Sequence, residues 1–539
     1  MSMDLSKIKK IHFIGIGGIG MSAIAKLMLA MGKQVSGSDA FDSEIVKEVK
    51  KKGAKIYIGH KAENVHADLD LAIYSNAVPE DNVERIKSQK LGIKVVSYPQ
   101  LLGILSREMR TIAVSGTNGK STTTAMLGWI LEKAGLDPTV IVGSKWGDTN
   151  QPADTAGEHE FNNESTRMGE LKKEGLFVVE ACEYREAMLK LKAETIVLTN
   201  IEADHLDYYK NLDHIKRTFK KYISQVSQNN GVLIFNNDDK NITEIVKTYN
   251  GKKISYGIEK KANLIAKNLK IQKKCQIFDL IFKNKKIGEI KLKIPGKFNV
   301  YNALAAIATA LSEDAEFKKI QKAIGEFKGI WRRFEIVGNY KGAIIVSDYA
   351  HHPTAIKQTI KAAKEFYPKR RIVAVFQSHS WNRTKMLFNE FVESFDQADL
   401  VILSEVYHVE GREDIKDRVS SKELVEAIRE RKFPENRKKL LTCHSRGSGN
   451  LELDSAGSRV KHGMTKTHQA RDDKRFLGKL PPNRRLPAES EGAGGMTNKV
   501  IYASNLSKCR KIILENIRKN DVVLLMGAGD IYTISNFKF

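Results

Sequence analysis

The sequence predicts an α/β protein built from three consecutive units in which strands alternate with helices. Two apolar segments each run into a glycine-rich turn and then a helical pattern, over residues 11–30 and 111–131. A third series of apolar segments begins at residue 343 and again alternates with helical patterns. Such alternation is typical of parallel sheets. At 539 residues the chain is too long for one hydrophobic core, so we expect more than one domain.

The first unit carries the pattern of a nucleotide diphosphate site. Residues 11–14 form an apolar run, residues 15–20 satisfy G-x-G-x-x-G, and a helical pattern follows to Ala30. Asp39 lies about 20 residues beyond the glycines, where a ribose-binding carboxylate is expected. From these residues alone, the pattern indicates a dinucleotide such as NAD.

Two polar residues follow a later strand of the same unit. The apolar runs 55–58 and 71–74 continue the predicted sheet, and Ser75 and Asn76 come directly after the second. Ligands of open α/β sheets bind at the carboxyl ends of the strands. The same residue types also form ordinary turns. A ligand contact and a turn therefore both remain open here.

The second unit opens with a shorter form of a phosphate-binding loop. The strand pattern 111–114 leads into Gly116-Thr117-Asn118-Gly119-Lys120-Ser121 and then into a helical pattern. The longer motif would need glycine at Val114. Small residues let backbone N–H groups approach phosphate oxygens, Lys120 can reach the β- and γ-phosphates, and Ser121 can ligate Mg²⁺. The alternative is an ordinary strand–helix turn with a solvated lysine.

Acidic residues and a histidine end the next two predicted strands. Glu180 closes the run 175–179, an arrangement that holds Mg²⁺ near a phosphate loop. The run 195–200 leads into a cluster over 201–207 that includes His205 and could ligate a second cation. Each cluster alone fits a helix cap equally well. On consecutive strands of one sheet, however, they should converge at the same edge.

An asparagine pair and a helical stretch end the second unit. Asn299 and Asn302 are three residues apart, so they share a helix face that suits hydrogen bonding to adenine; capping is the alternative for Asn299. Residues 303–328 are predicted to be helical, and residues 329–335 to cross between domains.

The third unit places histidines and arginines after its strands. Its predicted strands lie in the segments 343–348, 371–377, 400–403 and 522–526. Basic side chains at the ends of such strands indicate an anionic substrate.

The composition excludes several classes of protein. The formal net charge is +25, but the lysines are interleaved with acidic residues along the chain and form no basic–aromatic cluster, which argues against nucleic acid. We expect no membrane partner, because no apolar run is long enough to span a bilayer and the start has no secretory segment. The four cysteines lack metal-ligand spacing, so we expect reduced thiols and a cytoplasmic location.

Five segments together resemble one known family, the Mur ligases of peptidoglycan synthesis, and most closely its alanine-adding branch. These segments are residues 12–22, 116–120, 199–205, 348–353 and 526–531. They are spread over nearly the whole chain in the family's order. The resemblance implies an ATP- and Mg²⁺-dependent ligase that acts on UDP-N-acetylmuramate and L-alanine. It also replaces the NAD interpretation, because the first glycine loop would then face a UDP-sugar diphosphate.

The resemblance implies three domains. Residues 1–108 would form a Rossmann-like domain that binds the UDP-sugar, and residues 109–328 a central P-loop ATPase α/β domain. Residues 329–539 would form a C-terminal Rossmann-like domain for the acceptor amino acid. The resemblance says nothing about whether the protein is a monomer or a dimer.

Motif positions assign the expected roles. The UDP-sugar site would contain Gly15, Gly17, Gly18, Ile19, Gly20, Ser38, Asp39, Ser75 and Asn76. The ATP site would contain Gly116, Thr117, Asn118, Gly119, Lys120, Ser121, Thr122, Asn299, Asn302, Arg333 and Asp348. The metal ligands would be Ser121, Glu180 and His205. The muramoyl carboxylate and the incoming amino acid would be bordered by Tyr349, His351, His379 and Arg383. The catalytic groups would be Lys120, Glu180, His205 and Arg333.

Several positions depart from the family's pattern. Asn118 stands where the alanine-adding branch usually has histidine, Cys182 replaces a common aspartate, and Ser380 and Trp381 lie where many members have arginine and tyrosine. These departures leave the phosphoryl chemistry intact and bear on which acceptor is used. A related ligase that adds a recovered peptide to UDP-N-acetylmuramate is therefore the alternative. An NAD-dependent dehydrogenase and a nucleic-acid-binding protein are more distant alternatives.

Residues 441–499 interrupt the α/β pattern. They have no apolar periodicity and are rich in turn-forming residues, so they bury too little apolar surface to offset the entropy of ordering. We predict a disordered insertion on the surface that is dispensable for activity. An anion-binding lid formed by its basic residues is the alternative.

Overall fold

A computed structural model of the protein contains three β-sheets, and each is formed by strands from one consecutive part of the chain. It describes residues 3–146, 164–169, 175–205, 208–226, 231–407, 418–432 and 499–535. Each sheet has mainly parallel strands with helices between them, which agrees with the predicted α/β class. None of the helices in these ranges is long and apolar enough to cross a membrane. The predicted insertion 441–499 lies outside the described residues except for Lys499, which begins a strand.

The first sheet has five parallel strands in the order β3-β2-β1-β4-β5. Its elements are β1 (Lys10–Ile14), α1 (Ile19–Ala30), β2 (Gln34–Asp39), α2 (Glu44–Lys51), β3 (Lys55–Ile58), β4 (Leu71–Tyr74), α3 (Val83–Lys90), β5 (Lys94–Ser97) and α4 (Tyr98–Glu108). A capping box between Ser97 and Gln100 fixes the start of α4. The chain order changes direction at β1, which places the first glycine loop at the sheet's switch point.

The second sheet has ten strands in the order β15-β14-β13-β12-β11-β10-β6-β9-β7-β8. Its strands are β6 (Arg110–Ser115), β7 (Thr139–Trp146), β8 (Glu164–Arg167), β9 (Leu176–Ala181), β10 (Thr195–Leu198), β11 (Val232–Asn236), β12 (Lys252–Gly257), β13 (Leu264–Gln272), β14 (Cys275–Phe282) and β15 (Lys285–Leu292). Its helices are α5 (Lys120–Lys133), α6 (Leu212–Ile223), α7 (Lys240–Val246), α8 (Lys297–Ser312) and α9 (Phe317–Glu326). The inner strands are parallel, whereas β13–β15 form an antiparallel meander at one edge.

Most of the segment 303–328 is helical, as predicted, but it forms two helices, α8 and α9, with a break between them. Asp314 lies in the break with φ of 58°, and the N–H of Ala315 donates to the carbonyl of Ala310. A left-handed residue followed by such a hydrogen bond is a common way for a helix to end. The apolar pattern continues across the break and therefore did not predict it.

The third sheet has six strands in the order β16-β17-β21-β18-β19-β20, with only β16 antiparallel to its neighbour. Its strands are β16 (Glu335–Tyr340), β17 (Ala343–Asp348), β18 (Arg371–His379), β19 (Leu400–Tyr407), β20 (Lys499–Ala503) and β21 (Asp521–Met526). Its helices are α10 (Pro353–Phe366), α11 (Trp381–Met386), α12 (Phe388–Glu393), α13 (Ser421–Lys432) and α14 (Leu506–Asn516). Strands β17 and β21 are buried along their whole length, as central parallel strands with covered faces are.

Candidate active site

The phosphate-binding loop links the carboxyl end of β6 to the first residue of α5. Gly116 and Gly119 have φ of 136° and 85°, and a Cβ atom on either would collide with Thr199 or Asn302 respectively. Glycine is therefore required at both positions. The N–H of Asn118 donates to Oδ1 of Asn200 at 2.9 Å, which ties the loop to the end of β10.

Lys120 is held by protein groups at the bottom of this loop. Its Nζ donates to the carbonyls of Gly116 at 2.6 Å and Thr117 at 3.0 Å, and to Oε2 of Glu183 at 2.8 Å. Burial opposes the charge of Lys120, but Glu183 outweighs this effect and the pKa of Lys120 is raised. Glu183 was not predicted from the sequence, although it lies only three residues after Glu180.

Glu180 lies beside Ser121 at the carboxyl end of β9. Its Oε1 accepts the N–H of Gly143 at 2.6 Å, and the Ser121 side chain is close enough to counteract the rise in the pKa of Glu180 that burial causes. Burial raises the pKa of Glu180, whereas Lys120 and Arg333 act in the opposite direction. The structure therefore brings together two of the three predicted metal ligands, and it brings Arg333 within electrostatic reach of them.

His205, the third predicted metal ligand, contacts other carboxylates. Its Nε2 lies 3.6 Å from Oε1 of Glu183 and 4.0 Å from Oδ2 of Asp204, and its φ is 53°. Within the described ranges, no group of three or more His, Cys, Asp or Glu side chains is arranged to hold a metal ion. Metal binding by His205 stays a prediction.

Asn299 and Asn302 are buried at the start of α8 and already bonded. Asn299 donates to the carbonyl of Pro295 at 2.7 Å, and Asn302 donates to Oδ1 of Asn299 at 3.0 Å. The Thr123 hydroxyl donates to Oδ1 of Asn302 at 3.3 Å. These bonds fasten α8 to α5 behind the phosphate-binding loop. Contact of this pair with adenine stays a prediction.

The first glycine loop is shaped by the end of β2. The N–H groups of Gly15 and Ile16 both donate to the carbonyl of Ser38 at 2.9 Å, and the N–H of Gly17 donates to Oδ2 of Asp39 at 2.8 Å. A Cβ atom on Gly17 would lie 2.8 Å from that oxygen, so the loop can approach Asp39 only with glycine there. Asp39 thus holds the loop that opens α1.

A buried polar cluster lies beneath this loop, centred on Glu84. Its carboxylate accepts hydrogen bonds from Ser38 at 2.5 Å and Asn64 at 2.5 Å, and it lies 3.2 Å from Nδ1 of His60. Burial opposes ionisation of Glu84, but the nearby His12, whose Nε2 lies 3.7 Å from Oε2, and the hydrogen bonds with His60, Ser38 and Asn64 hold its pKa well below the usual range. The Ser38 hydroxyl faces this cluster, so its predicted contact with a UDP-sugar stays a prediction.

Residues of the third sheet complete the site from the other side. Asp348 accepts the N–H groups of Phe334 and Ala350, each at 2.7 Å, which bends the linker toward the end of β17. The guanidinium of Arg333 lies 5.0 Å from the ring centroid of Tyr349. Burial and the charge of Arg383 lower the pKa of His351 to about 3, so its ring is neutral near pH 7.

The second and third sheets are joined by direct polar contacts. Nη2 of Arg383 lies 3.5 Å from Oδ1 of Asp204, and the side chain of Thr354 is close enough to Glu202 to counteract the rise in the pKa of Glu202 that burial causes. Burial opposes ionisation of Asp204, but its electrostatic interactions with His205 and Arg383 lower its pKa to about 2, so it is an anion opposite Arg383.

A cavity of about 900 Å³ opens where the three sheets meet. Its wall includes Asn76 and Arg85 from the unit built on the first sheet, Tyr184 and His205 from the second unit, and His379 and Arg383 from the third. Of the predicted site residues, it therefore brings together Asn76, His205, His379 and Arg383. The remaining roles assigned by motif position stay predictions.

These features define a nucleotide-binding α/β protein in which three units share one site. The model of the Mur ligase family catalytic domain matches residues 10–110, that of the Mur ligase middle domain matches residues 114–310, and that of the Mur ligase glutamate ligase domain matches residues 332–448. This chain belongs to the Mur ligase family.

Relatives and solved structures agree with this assignment. A UDP-N-acetylmuramate–L-alanine ligase of Caldanaerobacter subterraneus subsp. tengcongensis is 42% identical over 79% of this chain and 89% of its own length. A ligase of the same description from Clostridium tetani is 43% identical over 76% of this chain and 86% of its own length. The solved UDP-N-acetylmuramate–alanine ligase of Thermotoga maritima matches 98% of this chain and 97% of its own with a TM-score of 0.69 and 25% identity.

Proposed function

We propose that this chain joins L-alanine to the lactyl carboxylate of UDP-N-acetylmuramate while ATP is converted to ADP and phosphate. The names of the relatives at 42% and 43% identity support the choice of substrates. The structural observation that carries the proposal is the shared cavity, because His205 in its wall adjoins Glu183, the partner of Lys120. Three reactants need such a common space to react in the right orientation.

We propose that each of the three substrates binds to a different one of the three α/β units. The UDP-sugar diphosphate would bind the glycine loop at the start of α1, whose backbone N–H groups and helix dipole favour anions. The sugar would pass Asn76 into the cavity. The ATP phosphates would bind the loop around Lys120, and the amino acid would lie near His379 and Arg383, because the guanidinium of Arg383 suits its carboxylate.

The chemistry proceeds through an activated carboxylate. An oxygen of the lactyl carboxylate attacks the γ-phosphorus of ATP, and ADP leaves with the electrons of the broken P–O bond, which gives an acyl phosphate. The α-amine of alanine attacks the acyl carbon, phosphate leaves, and the amine loses its proton. Lys120 and Arg333 offset the negative charge that accumulates on the transferring phosphoryl oxygens.

Glu180 and Ser121 fit a divalent cation beside the phosphates. Mg²⁺ prefers oxygen ligands and commonly binds one or two protein oxygens together with phosphates and waters. The Glu180 carboxylate and the adjacent Ser121 hydroxyl supply such oxygens, and the bound ion would offset phosphate charge. Glu180→Ala should raise the Mg²⁺ concentration for half-maximal ADP release roughly tenfold. Glu313→Ala, which removes a partner of Arg110 elsewhere, is the control; equal Mg²⁺ dependence in both variants would contradict this assignment.

One observation favours the second candidate, a ligase that adds a recovered peptide. Ser380 lines the cavity where the family resemblance leads us to expect arginine, and a smaller side chain leaves room for a larger acceptor. The experiment is ADP release with UDP-N-acetylmuramate and a panel of amino acids, with the tripeptide as competitor. Alanine-dependent release supports the first function, and tripeptide-dependent release alone supports the second.

Because ATP is the co-substrate, we place the reaction in the cytoplasm.

A further inference from the structure

Arg332 precedes the arginine assigned to the ATP phosphates and lies in an unusual setting. Its φ is 55°, a left-handed conformation that costs roughly 1–3 kcal/mol at a residue other than glycine. The side chain is 4% exposed. The guanidinium carbon lies 4.3 Å from the ring centroid of Tyr532, 5.0 Å from that of Tyr349 and 5.5 Å from that of Trp331. Three aromatic rings thus surround a buried cation.

Hydrogen bonds from Arg332 join three segments of the chain. Nη2 donates to the carbonyl of Gly527 and, at 2.9 Å, to that of Gly529, in the loop after β21. The backbone carbonyl of Arg332 accepts the N–H of Tyr349 at 2.7 Å, after the end of β17. Its own N–H donates to Oε2 of Glu335 at 2.9 Å, in the linker. The linker and two strand ends of the third sheet are therefore fixed relative to one another by this single residue.

Packing alone does not account for a charged group here. A buried cation loses its hydration, and an apolar side chain of similar volume would often be equally stable. The planar guanidinium combines the Nη2 group, which donates to both carbonyls, with flat faces that stack on aromatic rings, and no apolar side chain and no lysine offers both. Because the backbone of Arg332 is left-handed, it also sets the direction in which the side chain of the next residue, Arg333, extends from the linker. Its neighbours Arg333 and Tyr349 are both assigned to the site.

We propose that Arg332 is a positioning residue for ligation, which acts through Arg333 by holding the linker, Tyr349 and the loop at Gly527–Gly529 in one arrangement. The inference rests on the proposed function, because it assumes that Arg333 offsets charge on the transferred phosphoryl group. Arg332 itself reaches protein groups rather than substrate, so its effect is transmitted by the orientation of its neighbour. A small misplacement of such a group lowers the rate of the chemical step by about 100-fold.

Arg370 offers a matched control in the same sheet. Its Nη1 donates to the carbonyls of Gly342 at 3.0 Å and Asp521 at 3.3 Å. Those two residues lie at the opposite ends of β17 and β21 from Tyr349 and Gly527. Arg370 therefore also bonds through one guanidinium nitrogen to two backbone carbonyls of this sheet, but away from the site. Arg370→Lys measures the purely structural effect of losing such a contact.

The test is steady-state ligation by Arg332→Lys, Arg370→Lys, Arg333→Ala and the double variant Arg332→Lys/Arg333→Ala. We expect Arg332→Lys to lower kcat by about 10- to 100-fold with little change in the KM for UDP-N-acetylmuramate. Its Tm should match that of Arg370→Lys, which should keep its kcat. The double variant should be no slower than Arg333→Ala, because effects transmitted through one residue are not additive.

Two outcomes would overturn the inference: an unchanged kcat in Arg332→Lys, or a loss that multiplies fully with that of Arg333→Ala. If Arg332→Lys does not fold, Tyr532→Leu, which removes the nearest ring, takes its place. Its kcat and the additivity of its effect with that of Arg333→Ala are then measured. A wild-type rate in Arg333→Ala would refute the proposed phosphate role along with the inference. A slow Arg333→Ala beside a normal Arg332→Lys would refute the inference alone.

Discussion

Nζ of Lys120 lies 2.8 Å from Oε2 of Glu183, so the lysine for which we propose phosphate binding is paired with a carboxylate of the protein. The side chains are 15% and 4% exposed, which makes the pair largely buried. A buried pair is costly to break by removal of one partner, because the other charge is left without compensation. A phosphate that binds this loop must therefore replace Glu183 as the partner of Lys120.

Glu183→Gln should lower the stability of the unliganded protein and increase its stabilisation by nucleotide. The amide keeps a hydrogen-bond acceptor but removes the charge, so we expect the apparent Tm to fall by roughly 2–8 °C. A bound ATP analogue supplies the missing anion and should restore most of this loss. The measurement is thermal unfolding with and without the analogue.

Glu244→Gln is the matched control for that experiment. Glu244 pairs with Lys216 at 3.0 Å, and its side chain is 59% exposed. An exposed pair contributes little to stability, so this variant should unfold like the wild type with and without nucleotide. If Glu183→Gln behaved in the same way, Glu183 would not be the counter-ion of Lys120.

Lys120→Ala should abolish ATP turnover while leaving the affinity for UDP-N-acetylmuramate nearly unchanged. Lys120 is on α5, whereas the proposed UDP-sugar loop precedes α1 in another sheet. ADP release and calorimetric titration with the UDP-sugar measure the two properties separately. Lys133→Ala, at the other end of α5, is the control and should retain turnover. ADP release by Lys120→Ala above a few per cent of the control would contradict the central assignment.

Local patterns account for the parts of the fold that were predictable. The α/β class and the sequence of strand, glycine loop and helix around Lys120 depend on neighbouring residues, so the sequence alone predicted them. The break between α8 and α9 within the predicted helical segment 303–328 was not predicted, because the left-handed Asp314 follows the end of α8 without interrupting the apolar pattern. The domain boundaries and the insertion at 441–499 stay predictions.

Contacts between distant residues account for what was missed in the site. Glu183 is 63 residues from Lys120, and Glu84 is 46 residues from Ser38. The bond from Arg332 to Gly529 spans 197 residues. Such pairs depend on how strand ends meet in three dimensions, so spacing along the chain cannot reveal them. The family resemblance supplied roles by motif position but no partners.

Gly18→Val should weaken UDP-N-acetylmuramate binding about tenfold or more without disturbing the fold. The nearest atoms to a Cβ at Gly18 lie 3.8 Å away, and its φ of −67° suits any residue, so the loop tolerates the side chain. The added methyl groups would instead occupy the space where a diphosphate approaches the N-terminus of α1. Isothermal titration calorimetry measures the affinity.

Gly338→Val is the control for the glycine loop, because a Cβ at Gly338 meets open space in β16. It should bind the UDP-sugar normally. Wild-type affinity in Gly18→Val would show that the diphosphate lies elsewhere, whereas a lowered Tm in that variant alone would reveal a folding defect.

His60 should stabilise the protein only while it is protonated. Nδ1 of His60 lies 3.2 Å from Oε2 of Glu84, and this hydrogen bond raises the pKa of His60 above its ordinary value of 6.5. The folded protein therefore binds the proton more tightly than the unfolded chain does. The resulting stabilisation is complete below the unfolded value and is lost as the pH rises through the raised folded value.

His60→Gln should consequently lower the apparent Tm more at about pH 6 than at about pH 9. Asn64→Ala is the control, because Asn64 donates to the other oxygen of Glu84 at 2.5 Å through an amide that does not titrate. Its effect on Tm should be the same at both values, since the pKa of Glu84 lies far below this window. If the loss in His60→Gln were equally independent of pH, the bond to Glu84 would not favour the imidazolium form.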